Sequence, residues 1–351
     1  MLARMKLLWL DTTGIRSMIT IDEKRIFDII EKRKPHSVAL NGPEALIPKI
    51  QTCADNITEK FAITAFVIGD TCWGSCDLNT HAADMLGADL LFNIGHTIAA
   101  EIFNSKVIMI NAYDDIDFGT VARKCALSLK EKKYKSISLL TDSQHLTQIA
   151  NVKTIFEECD YEVIIGKGKG QLSDGQVFGC EFYPAHSTKN QIDAYIFLGQ
   201  SMFHSASIAI STGKPTYMLD PYFQQYSEVS EVAEALRKKA ILSVYKTLDS
   251  EKIGIIIGLK EGQFAEITAL KLKRSFEQLG KKVQLIAMTE ITDERLQPFR
   301  GIDAFVQVAC PRIAIDDHFK KPMLSVPQGL ALIKLLKNEP IGDFLEIRHW
   351  L

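Results

Sequence analysis

Three segments about 105 residues apart repeat one pattern: GADLLFNIGHT at 87–97, QIDAYIFLGQS at 191–201 and GIDAFVQVACP at 301–311. Each places an aspartate at the head of an apolar run and a glycine or cysteine at its end. The runs that follow correspond as well, as KVIMINAY, KPTYMLDPY and KPMLSVPQ. A period this long is far beyond a solenoid repeat and points to triplication of one small α/β unit. Around these segments short apolar runs alternate with amphipathic stretches, the pattern of parallel strands joined by crossover helices. Strands are expected at 37–41, 62–68, 89–94 and 106–111, at 136–141, 162–165, 194–199 and 215–219, and at 253–257, 283–288, 304–309 and 322–326. Helices between them carry apolar residues three and four apart, as in Ile149, Val152, Ile155 and Phe156, a stripe suited to a sheet face. The expected fold class is α/β, with three similar small parallel-sheet domains at 25–115, 116–222 and 223–345. A length of 351 residues suits two or three domains.

Seven cysteines at irregular spacing, an odd number, argue against a secreted disulfide scaffold and for a reducing compartment, naturally the cytoplasm. A formal net charge of −2 provides no global basic field for nucleic acid or anionic lipid. No run approaches the roughly 20 apolar residues that span a bilayer. The opening MLARMKLLWLDTTG is too short in its apolar part for a signal peptide, and Asp11 interrupts it, so residues 1–20 read as an extension.

Cys76, Cys180 and Cys310 stand apart from the other thiols. Each is expected at or beyond a strand end, where α/β sheets bind ligands, and each has small residues or proline beside it: Gly74 and Ser75, Gly179, Ala309 and Pro311. Three such thiols suit a metal cluster with one open coordination position, although spacing alone also allows three unrelated thiols. Cys53, Cys125 and Cys159 read as small buried hydrophobes, the last two on helices. Cys72 and Cys76 form C-x3-C, but Asn79 stands where a C-x3-C-x2-C loop needs its third cysteine, and no second pair completes a zinc site. Cys72 therefore reads as a structural thiol.

Other motifs weaken on inspection. GKGKG at 166–170 has Gln171 in place of the last glycine of a dinucleotide loop, and STGKPT at 211–216 has Ile208 and Pro215 where a phosphate loop needs Gly and Ser or Thr. Both read as turns. His96 and His204 follow third strands at the presumed site edge, where loop capping and direct chemistry are both open to them. Asp316 and Asp317 read as a solvated turn.

GDTCWGSCDLNTHAADMLGADLLFNIGHT, QVFGC, LGQSMFH with LDPY, GLKEGQ and VACPRIAIDD, taken together and in order, resemble the archaeal 2-(3-amino-3-carboxypropyl)histidine synthases of diphthamide biosynthesis, over residues 25–345. The resemblance implies three α/β domains around a central 4Fe–4S cluster, held by Cys76, Cys180 and Cys310. It also implies S-adenosylmethionine at the free iron, cleaved by one electron to methylthioadenosine and a 3-amino-3-carboxypropyl radical that adds to a histidine of translation elongation factor 2. A homodimer and a separate, unidentified electron donor follow from it too. The loops after strands nominate Gly199, Phe203, His204, Asp220, Tyr222 and Gln263 as surroundings of the co-substrate. Two other readings compete: a quinolinate-synthase-like 4Fe–4S dehydratase, and a non-catalytic electron-delivery subunit, from which retention of all three cysteines turns the balance away.

Overall fold

The computed structural model describes residues 19–350, except 71, 97–105, 171 and 317–318. Strands β1 (Thr20–Ile21) and β6 (Ala112–Tyr113) pair as a small antiparallel ribbon, so the expected extension is already structured at its inner end. The first large sheet holds β2 (Ser37–Asn41), β3 (Thr64–Val67), β4 (Leu90–Ile94) and β5 (Val107–Ile110). The second holds β7 (Ser136–Thr141), β8 (Glu162–Ile164), β9 (Ala194–Leu198), β10 (Thr216–Asp220) and β11 (Gln225–Glu228). The third holds β12 (Lys252–Gly258), β13 (Lys282–Met288), β14 (Ala304–Gln307) and β15 (Met323–Leu324).

Strand order is β3-β2-β4-β5, β8-β7-β9-β10-β11 and β13-β12-β14-β15. Each sheet therefore runs second, first, third, fourth, with these four strands parallel, and its connections reverse direction between the first and third strands. That reversal opens a crevice at the carboxyl ends, the usual ligand position of such sheets. β11 is the exception: it runs antiparallel beside β10, so the second sheet extends to Glu228.

The recurrent aspartates have a structural purpose. Asp89 accepts hydrogen bonds from the backbone N–H of His36 (2.6 Å) and Ser37 (3.2 Å) at the start of β2. Asp193 does the same for Lys135 (2.8 Å) and Ser136 (3.0 Å), and Asp303 for Glu251 (3.0 Å) and Lys252 (2.8 Å). In every sheet the carboxylate before the third strand ties down the start of the first. These N–H donors hold the Asp89 and Asp193 carboxyls below the usual range.

Both faces of each sheet are covered, as parallel sheets require. On β9, Ala194, Ile196 and Leu198 pack with Val121, Cys125, Val152 and Phe156, whereas Tyr195 and Phe197 face Phe182, Ala206, Ile210 and Trp350. The helix Ser230–Lys246 joins two cores: Ala233 and Ala240 belong to the second, Val244 to the third. Beyond it, the chain returns to the second sheet, where the buried Trp350 ring meets the Phe182 ring edge-on at 5.1 Å and the Trp350 backbone N–H donates to the Cys180 carbonyl at 2.9 Å. Among the described residues no helix is long and apolar enough to cross a membrane.

Replacing Asp193 with Ala removes two charge-assisted backbone contacts at a half-exposed site. Urea unfolding is expected to show a loss of about 1–2 kcal/mol. No change would mean that the repeated aspartate does not clamp the sheet.

Candidate functional site

Only Cys310 sits directly beyond a strand. Cys76 and Cys180 lie in longer loops after the second strands β3 and β8, each followed by a short helix, Thr80–Met85 and Tyr183–Thr188. Cys310 follows the third strand β14. The repeat is thus broken at the thiols, two coming from one topological position and one from another.

The Cys180 loop is a tight turn: Phe178 and Glu181 exchange backbone hydrogen bonds of 3.1 and 3.3 Å, leaving Gly179 and Cys180 at the tip. A Cβ on Gly179 would fall 1.6 Å from the Phe203 ring, so only glycine lets the turn lie against that aromatic. The Phe203 ring also carries the Arg312 guanidinium, 4.6 Å from its centroid and two residues beyond Cys310. Cys310 is fixed through its backbone, its carbonyl accepting from Gln307 Nε2 at 2.9 Å while Gln307 Oε1 accepts from Ala309 N–H at 2.7 Å.

The Cys76 loop is gripped by residues after β12. Gly262 N–H donates to the Cys76 carbonyl at 3.0 Å, and a Cβ there would lie 2.5 Å from the Cys76 Cα. Lys260 Nζ, buried, pairs with Asp77 Oδ2 at 2.5 Å and with Glu290 Oε1 at 2.9 Å. Burial opposes the Lys260 charge, but these two carboxylates outweigh it and hold its pKa above the ordinary value. Glu261 accepts from Thr80 N–H (2.8 Å), Thr80 Oγ1 (2.5 Å) and Leu78 N–H (3.3 Å). Burial would raise its carboxyl; these donors prevail and hold it low. Gln263 Nε2 lies 3.4 Å from Cys76 Sγ.

The three thiols share one electrostatic neighbourhood. The Cys180 thiol is pushed up first by burial and then by the negative charges that Cys310 and Cys76 would carry, and burial also raises Cys76. Left alone, Cys76 and Cys180 stay protonated. No group of three His, Cys, Asp or Glu side chains among the described residues could hold a single metal ion. A polynuclear cluster poses a different demand, one thiolate per iron, with the sulfurs held apart by the cluster's own width. Cations bound there would draw off the thiol protons that burial otherwise retains. Residues and group fit.

His96, His204 and Asp142 share one electrostatic group with Arg312. Burial is the chief cause lowering both histidines, His204 to about 4, with Asp142 opposing it and Arg312 reinforcing it. Both rings are neutral at pH 7. His204 Nδ1 meets Ser201 Oγ at 2.5 Å and its ring stacks on Phe197, so it is held by a hydroxyl and not by backbone carbonyls. His96 Nδ1 is buried with no hydrogen-bond partner among the described residues.

The nominated residues divide into two sets. Gly199, at φ +135°, lies near His145, and Phe203 and His204 share the neighbourhood of Arg312. Asp220 accepts from the N–H of Tyr222 (2.8 Å) and Phe223 (3.0 Å) and from Gln200 Nε2 (3.1 Å). The Tyr222 hydroxyl donates to Asp114 and accepts from Gln144 Nε2 at 3.2 Å. These two are committed within the protein. Cys53 and Cys125 are buried, as expected, Cys125 on its expected helix and Cys53 on the helix Ile47–Phe61, whereas Cys159 is half-buried in the turn after Ile149–Glu157. Cys72 is buried with its sulfur near Gly74 O (3.6 Å) and Asn93 Oδ1 (3.7 Å). Of the acidic pair, Asp316 ends the helix Pro311–Asp316 and Asp317 lies outside the described residues.

Sequence reading missed a buried amide chain behind Cys72. Asn41 Nδ2 donates to Asn93 Oδ1 at 2.8 Å and to Leu78 O at 3.2 Å, and Asn79 Nδ2 to Asn41 Oδ1 at 3.0 Å. The available signal was an asparagine in each of two apolar runs, VALN and LLFN, on the strands flanking the first crevice.

A protein-family model described as "Putative diphthamide synthesis protein" matches residues 42–340. The chain is 27% identical to the 2-(3-amino-3-carboxypropyl)histidine synthase of Pyrococcus horikoshii, over 91% of this chain and 92% of that one. It is 29% identical to subunit 1 of the Candida albicans enzyme, over 90% of this chain and 74% of the relative. The crystal structure of Dph2 from Pyrococcus horikoshii with a 4Fe–4S cluster superposes with a TM-score of 0.83 at 26% identity, covering 95% of this chain and 96% of that one. With its three like sheets and a family match along most of its length, the chain belongs to the diphthamide synthesis protein family.

Proposed function

We propose that the chain is a 2-(3-amino-3-carboxypropyl)histidine synthase performing the first step of diphthamide biosynthesis, with Cys76, Cys180 and Cys310 as the thiolates of one 4Fe–4S cluster. The observation that supports this reading is that the Cys180 thiol responds to the charges of Cys310 and Cys76, which come from the other two sheet groups. Units at 25–115, 116–222 and 223–345 each lend one thiol. When bound and reduced, the cluster supplies the electron that breaks the bond between the S-adenosylmethionine sulfur and its methionine γ-carbon, freeing methylthioadenosine and the 3-amino-3-carboxypropyl group.

The protein's own part is placement. Gly179 and Gly262 allow two cysteine loops to press against their neighbours, and the Lys260–Asp77 pair fixes the third-sheet loop on the first. Phe203, His204 and Gly199 border the space beside Cys180, where the Arg312 guanidinium offers a positive partner for the carboxylate of the co-substrate. Neutral His96 and His204 add polar edges without a competing charge. Asp220 and Tyr222 shape the wall of that space through Asp114, Gln144 and Gln200. Fixing the sulfonium in one orientation decides which carbon–sulfur bond is aligned for cleavage.

The protein substrate is translation elongation factor 2, the working form a homodimer, and the electron comes from a separate donor. A net charge of −2 supports the absence of direct nucleic-acid binding, and seven cysteines free of disulfides support a cytoplasmic setting.

Anaerobically reconstituted Cys76→Ala, Cys180→Ala and Cys310→Ala proteins are each expected to lose most of their iron, while Cys53→Ala and Cys125→Ala keep it. Full iron in Cys180→Ala would overturn the ligand set. Cys72→Ala should retain cluster and most activity; the opposite pattern at positions 72 and 76 would reassign the first ligand.

With dithionite, S-adenosylmethionine and elongation factor 2, the wild-type protein should release methylthioadenosine and add one 3-amino-3-carboxypropyl group to a histidine, seen by chromatography and mass spectrometry. Deoxyadenosine as the main nucleoside, with an unmodified factor, would refute the reaction even with the cluster present.

A further inference from the structure

The loop after β12 does more than hold its neighbour in place. Its Gly262 meets the Cys76 backbone so closely that any side chain there would collide with the Cys76 Cα and Cβ, at 2.5 and 2.7 Å. This contact fixes where the next residue begins. Gln263, only 8% exposed, then sets its amide Nε2 3.4 Å from Cys76 Sγ. The geometry is a weak bond to a neutral thiol, but it becomes charge-assisted once the sulfur is a thiolate. A metal-bound thiolate has no proton to donate, so the amide N–H is the donor.

We infer that Gln263 is a positioning residue whose amide N–H donates to the Cys76 thiolate and raises the reduction potential of the cluster bound there. Its role is therefore toward the sulfur and not toward the co-substrate. This rests on Cys76 being a cluster ligand. Hydrogen bonds to ligand sulfurs help set the potentials of such clusters, because they stabilise the reduced form, which carries one more negative charge, more than the oxidised form. The Lys260, Asp77 and Glu290 network keeps the loop in register, so the amide cannot drift from the sulfur without breaking a buried ion pair of 2.5 Å. A low-potential cluster must be reduced before any bond in the co-substrate breaks, so a donor at this sulfur bears directly on how readily the electron is accepted.

The test is a dye-mediated redox titration, followed by spin resonance, of reconstituted wild-type, Gln263→Leu and Gln263→Glu proteins. Both substitutions keep the side chain's approximate size and remove the N–H. The wild type is measured first: absence of a 4Fe–4S signal there would fail the ligand assignment and not this inference. Both variants are expected to keep their iron and titrate at lower potential, by roughly tenfold in the one-electron reduction equilibrium, about 59 mV, with the glutamate shifted further by its charge. If one variant loses its cluster, the other decides. An unchanged potential in a fully loaded variant would overturn the inference, and so would loss of the cluster from both, since Gln263 would then be needed to hold the loop and not to tune the sulfur.

Discussion

The close contact between Gly262 and the backbone of Cys76 is the constraint on which the site depends. Two sheets with separate cores can place side chains near one another in many relative orientations, and only a contact without slack selects one. Here a backbone N–H meets a backbone carbonyl at 3.0 Å, flanked by the Lys260–Asp77 pair and by Glu261 accepting from Leu78 and Thr80. Each partner comes from a short loop between regular elements, so error in one sheet's position is passed to the other almost unchanged. The second sheet is joined by different means. Trp350 packs on Phe182 and donates to the Cys180 carbonyl, so the end of the chain braces the middle thiol.

The three sheets share strand order and the aspartate that ties the third strand to the first, yet the thiols do not follow the repeat. Had Cys310 followed β13, as Cys76 follows β3 and Cys180 follows β8, the three loops would be equivalent. Its place after β14 brings Arg312 with it, in the first turn of the helix Pro311–Asp316 and over Phe203. The departure from symmetry thereby gives the thiol cluster a cationic side that neither other loop sequence, with Asp77-Leu78 or Glu181-Phe182 after its cysteine, could supply.

Strand positions were legible because apolar runs with β-branched residues, closed by Gly, Pro or charge, leave few alternatives; Lys252–Gly258 and Ala194–Leu198 lie almost where the residues place them. β11 was not legible, since Gln225–Glu228 is polar on both faces and its pairing is dictated by the neighbouring edge of β10 and not by its own pattern. The site divides in the same way. Small residues beside Cys76, Cys180 and Cys310 marked places of close approach, and Gly179 against Phe203 is that approach realised. Gln263 was visible only as a loop residue, because a single sequence carries no sign that a residue from the third sheet faces a sulfur from the first. Asp220 and Tyr222 were nominated for their place at a strand end, and their polar atoms turn inward to Asp114, Gln144 and Gln200.

Burial and charge at the thiols work against each other in a way that favours a bound cluster. Desolvation makes the Cys76 and Cys180 sulfurs resist ionisation, and Cys180 also feels repulsion from Cys310 and Cys76. A bound polynuclear cation reverses both terms at once, because it supplies the charge that solvent no longer does and lies between the sulfurs that would otherwise repel. The same low dielectric that disfavours free thiolates strengthens each hydrogen bond made to a ligated one. Exposure of the site would relax the first effect and forfeit the second. Tight loops and glycines without room for a side chain let neighbours approach the thiols closely, and the neutral histidines add no charge at pH 7. The anions that do lie beside the sulfurs, Asp77 and Glu181, oppose free thiolates further and so deepen the demand for a bound cation.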